Sequence, residues 1–467
     1  MDNIPSATLQ FLGGAGSVTG SKYLIQTEKS RVLLDCGLFQ GLKDLRLRNW
    51  ARPAFDPSSL DAVVISHAHI DHTGYLPVLA KNHFRGKIYA TAATTDLMNV
   101  MLLDSAHLQE EEAESANKYG FSKHKPALPL YTVEDAERVL HFVKRCSFEK
   151  YFEITRDIKI LFRRSGHILG AASVELLIGK ENPVRLVFSG DLGRWGQPII
   201  HDPVLVEEAD VLLVESTYGN RLHPTDFYEN LGRIVREAVQ RGGALIIPAF
   251  AVGRTQEMIW LLRKLEEEKK IPVVPMFIDS PMAGSVDEIY IQHPEEHDLE
   301  MSRLMSEEEN PLHSEIFHVT RSKEESKAIN RLEGPMIIIS ASGMATGGRV
   351  VHHLKMRLAD PRTTILQVGY QAAGTRGRSL QDGAKEIKIQ GQLIPVHARV
   401  EMIDGLSAHG DQKDILRWLS GFKKPPRQTY LVHGEAEAAN TLAQVIQTQL
   451  GWQVKVAVDQ EVIPLKP

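Results

Sequence analysis

The six residues His67-Ala68-His69-Ile70-Asp71-His72 hold four groups able to ligate a metal ion. They follow Leu60–Ile65, an apolar run that reads as a buried strand, and Gly74 with the apolar spacing beyond it opens a helix. A ligand set on the loop at the C-terminal edge of a strand fits an α/β fold, which binds its ligands at such edges. Spacings of two and three residues do not share one helical face, so this is not a helical zinc motif of the H-E-x-x-H kind. On an irregular loop, His67 and His69 can point at one metal while Asp71 and His72 point at a second. Imidazoles with a carboxylate suit zinc, at ~2.0–2.2 Å per ligand. The bland reading is a histidine-rich surface loop.

The 467 residues are too many for one ordinary core and predict two or three domains. Hydrophobic content of 43% and charged content of 24% are those of a globular protein. Two cysteines, Cys36 and Cys146, make no disulfide framework, so a reducing, cytoplasmic setting is expected. Met1-Asp2-Asn3-Ile4-Pro5 has no basic segment leading into an apolar core, so no signal peptide is expected. The longest apolar run, around Ala244 to Val252, is too short to span a membrane. A net charge of −5 argues against nucleic-acid binding by bulk charge, but not against a local basic groove.

Short β-rich runs (Thr8–Leu12, Ser21–Gln26, Arg31–Asp35) open the chain. Between the first two lies Gly13-Gly14-Ala15-Gly16-Ser17-Val18-Thr19-Gly20. It is a glycine-rich turn and not a dinucleotide loop, because the glycine spacing is wrong and a strand follows instead of a helix. Asp104–Asn117, with Glu110, Glu111, Glu112 and Glu114, reads as a helix with a solvated face. From about residue 209 apolar strands alternate with helices: Val211–Val214, Ala244–Pro248, helix Arg254–Lys270, Val273–Ile278, Met336–Ile339, helix Arg349–Leu358 and Thr364–Val368. That alternation predicts a parallel sheet covered on both faces. Residues 292–334 read as outer helices and loops, and β-rich texture returns from Val396.

Other candidate groups sit at strand ends. Asp35 ends Val32-Leu33-Leu34, Asp191 ends Val187-Phe188-Ser189-Gly190, Glu215 ends Val211–Val214, and His433 follows Tyr430-Leu431-Val432. His167 lies in Ser165-Gly166-His167-Ile168-Leu169-Gly170 and His409 in Leu406-Ser407-Ala408-His409-Gly410-Asp411. Taken singly, each is as readily a turn residue or a loop cap.

Taken in order, they resemble the motifs of the metallo-β-lactamase superfamily and, within it, the β-CASP nucleases. The resemblance covers nearly the whole chain. It implies an αββα sandwich with an inserted β-CASP domain, a parallel sheet flanked by helices. Residues 1–208 and 396–467, the latter the RNA-metabolising segment, would form the first domain and 209–395 the insertion. It implies two zinc ions per chain, one held by His67, His69 and His167, the other by Asp71, His72 and His433, with Asp191 bridging. Asp35 would orient ligands from behind. The pair His409 and Glu215 would supply the proton for a leaving 3′-oxygen, and Asp71 and Asp191 belong to the catalytic centre. Two metals ~3.5–4 Å apart suit phosphodiester hydrolysis, because they lower the pKa of a shared water and neutralise charge at phosphorus. The loop Ser340-Ala341-Ser342-Gly343-Met344-Ala345-Thr346-Gly347-Gly348, with Arg376 and Arg378, matches segments that hold RNA phosphate. Arg254 and His223 lie in further matching segments. His352, His353 and His397 read as surface or packing residues.

The function so implied is a zinc-dependent ribonuclease on single-stranded RNA, acting as endonuclease, 5′-to-3′ exonuclease, or both. A metal-free RNA-binding subunit is the alternative from another class, and all ligand positions being filled argues against it. A small-molecule metallo-hydrolase would not need the insertion, Glu215 or His409. A diiron oxygen reductase would carry Glu where His69 stands. DNA-repair relatives carry valine at the position of His433. The oligomeric state stays open between monomer and homodimer.

Overall fold

The computed structural model describes residues 7–120, 122–307, 310–369, 371 and 374–466. The chain divides into two compact units: Met1–Gly196 with Asp202–Leu222 and His409–Pro467, and Gln197–His201 with His223–Ala408.

The first unit holds two seven-stranded sheets. One runs in the order Val462–Pro464, Ala7–Gly13, Lys22–Thr27, Arg31–Leu34, Ala62–Val64, Lys87–Thr91, Val143–Cys146. The other runs Val454–Val456, Gln428–Val432, Val211–Glu215, Val184–Phe188, Ala172–Ile178, Ile158–Arg164, Phe152–Glu153. Strand side chains alternate in direction, and one set from each sheet shares a core: Leu9, Phe11, Tyr23 and Ile25 meet Phe162, Leu176, Phe188 and Tyr430. The opposite set of the second sheet (Val187, Leu212, Val214, Leu431) packs on Ile415, Trp418 and Leu442 of the helices Gln412–Leu419 and Ala436–Leu450. On the first sheet's side, helix Ala92–Tyr119 lies against Lys87–Thr91 and Val143–Cys146. The result is the αββα sandwich. Glu111, Glu112 and Glu114 are exposed on the long helix, as its charge pattern predicts.

The second unit is built on a six-stranded sheet in the order Phe317–Val319, Met276–Ile278, Met336–Ser340, Ala244–Pro248, Thr364–Gln367, Arg399–Met402, with every pairing parallel. All five residues of Ala244–Pro248 and of Met336–Ser340 are buried, so both faces of the sheet are covered.

Three sequence expectations shift. The boundaries at 209 and 396 move, because Val211–Glu215 pairs with Gln428–Val432 in the first unit while Arg399–Met402 pairs with Thr364–Gln367 in the second. The stretch 292–334 contributes the edge strand Phe317–Val319 as well as helices. The hexapeptide is a loop only as far as His69, and Ile70–Thr73 is a helical turn.

A candidate two-metal centre

Strand Ala62–Val64 delivers Ser66, His67 and His69 to the edge of the first sheet. Residues 35–38 strap the following turn in place. Cys36 N donates to His72 O (2.7 Å) and Leu38 N to Ile70 O (2.9 Å). Gly37 passes so close that a Cβ there would lie 1.5 Å from Asp71 O, which only glycine permits. The glycine-rich turn reaches across as well: Gly14 O accepts from His433 N at 2.6 Å. His433 itself sits at φ 47°, an uncommon conformation for a residue with a side chain.

Two groups of donor atoms result. In the first, His69 Nδ1 lies 3.1 Å from both His67 Nε2 and His167 Nε2. Asp191 Oδ2 is 3.4 Å from His67 Nε2 and 3.6 Å from His167 Nε2. In the second, His72 Nε2 is 3.1 Å from His433 Nε2. Asp71 Oδ2 is 3.4 Å from His433 Nε2 and 3.9 Å from His72 Nε2, and Asp191 Oδ1 is 3.4 Å from His72 Nε2. Four ligands placed tetrahedrally at 2.0–2.1 Å from zinc stand about 3.3–3.4 Å apart, so both groups have the spacing of a metal cage. Among the described residues Asp191 Oδ1 is buried and accepts no hydrogen bond, an orphan that a cation would satisfy. The donor set therefore fits two metal ions, and Asp191 offers one carboxylate oxygen to each group.

The electrostatics agree. Burial first, then neighbouring imidazoles, holds His67 well below its ordinary pKa, and burial lowers His69 to about 4. Both rings are thus neutral, with lone pairs free for a cation. Burial works against the charge of Asp71, but His433 and the other imidazoles outweigh it and bring it to about 2. Asp191 is held well below the carboxylate range by four histidines, again against burial. His72 goes the other way: Asp191 and Asp35 overcome burial and raise it, so a proton and a metal compete for its Nε2.

Behind the donors lies a relay whose central residue sequence reasoning missed. Asp35 Oδ2 accepts from His72 Nδ1 and from Ser66 Oγ, both at 2.7 Å, and Ser66 Oγ is 3.1 Å from His67 Nδ1. Fixing Nδ1 as the protonated nitrogen turns Nε2 of both rings toward the cluster. Thr217 Oγ1 meets His433 Nδ1 at 3.1 Å and is the second missed residue. The one sequence signal for either was adjacency, Ser66 to His67 and Thr217 to Glu215. Asp35→Asn is expected to cost ~10–100-fold in metal affinity while the fold persists, as metal titration followed by thermal melting will read.

His409 stands beside the donors with its Nε2 3.8 Å from Asp191 Oδ2. Its Nδ1 faces both Glu215 oxygens at 3.1 Å. Glu215 is fully buried and accepts from Leu192 N at 2.6 Å. Burial opposes charge on His409, but Glu215 and Asp191 outweigh it and raise its pKa to about 9.

The residues expected to bind phosphate lie in the second unit. Ser342 Oγ faces Thr346 N (3.2 Å) and Gly347 N (3.4 Å) and so staples its own loop, and Gly343 O accepts from Gln371 Nε2. Met344 O accepts from Gly377 N. One expectation needs correction, that for Ser340. Ser340 is fully buried and its hydroxyl donates to Asp279 O at 2.8 Å. Arg376 donates to the carbonyls of Ala345, Thr346 and Lys388, so it braces the loop. Arg378 pairs with Asp382 at 2.9 Å and Arg254 with Glu257. His223 begins the second unit's main segment. His353 is buried between Asp279 and Asn330, a packing role, and exposed His397 meets Ala359 O.

Three family descriptions match the chain: the metallo-β-lactamase superfamily over residues 16–142, the β-CASP domain over 255–380, and the Zn-dependent metallo-hydrolase RNA specificity domain over 393–457. A ribonuclease of Thermus thermophilus is 35% identical over 97% of this chain and 99% of its own length. The transcription termination factor FttA of Methanosarcina mazei is 31% identical over 97% of this chain and 71% of its own length. An RNase J-like protein of Methanocaldococcus jannaschii is 30% identical over 98% and 99%. A solved protein of unknown function from Enterococcus faecalis shares the fold, with TM-score 0.55 and 13% identity over 98% of this chain and 99% of that one. With these matches the chain belongs to the β-CASP family of the metallo-β-lactamase superfamily.

Proposed function

We propose that this hydrolase is a ribonuclease that uses two zinc ions to cut phosphodiester bonds of single-stranded RNA. The observation that carries the reading is Asp191, whose two oxygens face separate histidine groups while His409 stands over it. When bound, the zinc ions supply Lewis acidity and a water of lowered pKa. His67, His69, His167 and Asp191 would hold one, and Asp71, His72, His433 and Asp191 the other.

The chain's own groups do the rest. Glu215, anchored by Leu192 N, fixes the His409 ring by its Nδ1 and leaves Nε2 to carry a proton toward the reacting phosphate. As water attacks phosphorus, that proton goes to the departing 3′-oxygen. Asp191 is one of the charges that raise the His409 pKa, so its neutralisation would move that pKa toward the range where a general acid works best. The products are a 5′-phosphate and a 3′-hydroxyl.

Both internal cleavage and 5′-to-3′ removal of nucleotides are expected, with Ser342, Gly343 and Met344 the loop residues nearest in kind to a phosphate cradle. Free, buried Cys36 and Cys146 support a reducing, cytoplasmic setting. Among the described residues no helix is long and apolar enough to cross a membrane.

One RNA bearing a 5′-hydroxyl, 5′-monophosphate or 5′-triphosphate, labelled at either end, decides the mode. Mononucleotides released fastest from the monophosphate form indicate exonuclease action. Identical internal fragments from all three leave endonuclease action alone. A 2′,3′-cyclic phosphate product would overturn the hydrolytic mechanism, because the 2′-hydroxyl would then be the nucleophile.

A further inference from the structure

The helix Lys43–Arg48 has no buried residue. Around it Leu42 is 66%, Leu47 54% and Trp50 59% exposed. Residues 40–56 carry Lys43, Arg46, Arg48 and Arg52 against Asp44 and Asp56, in a chain whose net charge is −5.

The segment is held firmly. Asn49 exchanges two hydrogen bonds with Phe39 (2.9 and 2.8 Å), and Arg48 forks onto Asp459 (2.9 and 3.1 Å). Beneath it Lys22 and Arg48 both lie over the Phe39 ring, at 4.4 and 4.1 Å, so Lys22 adds one further charge there while Arg48 is paired with Asp459. Phe39 is also the end of the strap that starts at Asp35 and braces Asp71 and His72. Four residues of chain place it within ~14 Å of Asp35.

We infer that Trp50, with Lys43, Arg46 and Arg52, forms a platform that grips single-stranded RNA beside the metal centre, stacking a base on the indole while the cations meet phosphates. The inference rests on the ribonuclease reading. Charge complementarity selects the occupant: the substrate is a polyanion and the patch is locally positive on an acidic protein. A six-residue helix is too small to found a stable protein interface, which needs ~1,000 Å² or more.

The test uses the full chain in a His409→Ala background and measures fluorescence anisotropy with a 20-nucleotide RNA and with a trinucleotide. Trp50→Ala is expected to weaken binding of the 20-mer about tenfold. Lys43→Ala/Arg46→Ala/Arg52→Ala should reduce the slope of log affinity against log salt by about 2, at 0.7 per lost single-strand contact. Both variants, placed on wild-type His409, should cut the trinucleotide at the normal rate. Unchanged 20-mer affinity and salt slope would overturn the inference. So would a change in sedimentation without a change in affinity, which would mark the patch as a contact between copies. A chain that grips the 20-mer through this patch but cuts no RNA would keep the platform and overturn the ribonuclease reading instead.

Discussion

Asp191→Ala is expected to abolish hydrolysis and to strip metal from the whole centre. Among the described residues the carboxylate is the one group whose oxygens lie beside both donor sets, Oδ2 beside His67 and His167 and Oδ1 beside His72. Removing it leaves three imidazoles on one side, and Asp71 with two imidazoles on the other. It also removes a negative charge that favours the protonated forms of His72 and His409. A loss of several kcal/mol of charge stabilisation corresponds to ~10³-fold or more in rate. His433→Ala removes a donor from one set alone and is expected to retain more metal. Equal metal loss in the two variants, read by elemental analysis after dialysis, would remove the bridging role.

His409→Ala separates chemistry from binding. Its Nδ1 is committed to Glu215, and its Nε2, 3.8 Å from Asp191 Oδ2, is farther from that oxygen than the Nε2 of His67 or His167. The variant is therefore expected to keep its metals and its RNA affinity while the rate falls ~10²–10⁴-fold. Glu215→Gln should show a smaller loss of the same kind, because the ring keeps a neighbour but loses the charge that favours its protonated form. Wild-type rate in His409→Ala would eliminate the proton-donor role.

The residues of the candidate centre stand where the sequence singles them out, on a short loop and at strand ends. His67, His69, Asp71 and His72 are neighbours in the chain, and His167, Asp191, Glu215 and His433 each close or follow a strand. What was not legible is the layer behind. That Ser66 would join Asp35 to His67 depends on hydroxyl and ring orientations, which no spacing encodes. The compact units part at residues other than 209 and 396 for a related reason. The pairing of Val211–Glu215 with Gln428–Val432 spans more than two hundred residues, and a strand's own sequence does not name its partner. Ser340 carries the chemistry of a phosphate ligand, yet the fold buries it and spends its hydroxyl on holding backbone.

The metal content of the purified protein tests the two-metal reading most directly. Elemental analysis should find close to two zinc ions per chain, with activity lost to a chelator and restored by zinc. Less than half an ion per chain, with cleavage indifferent to the chelator, would contradict it.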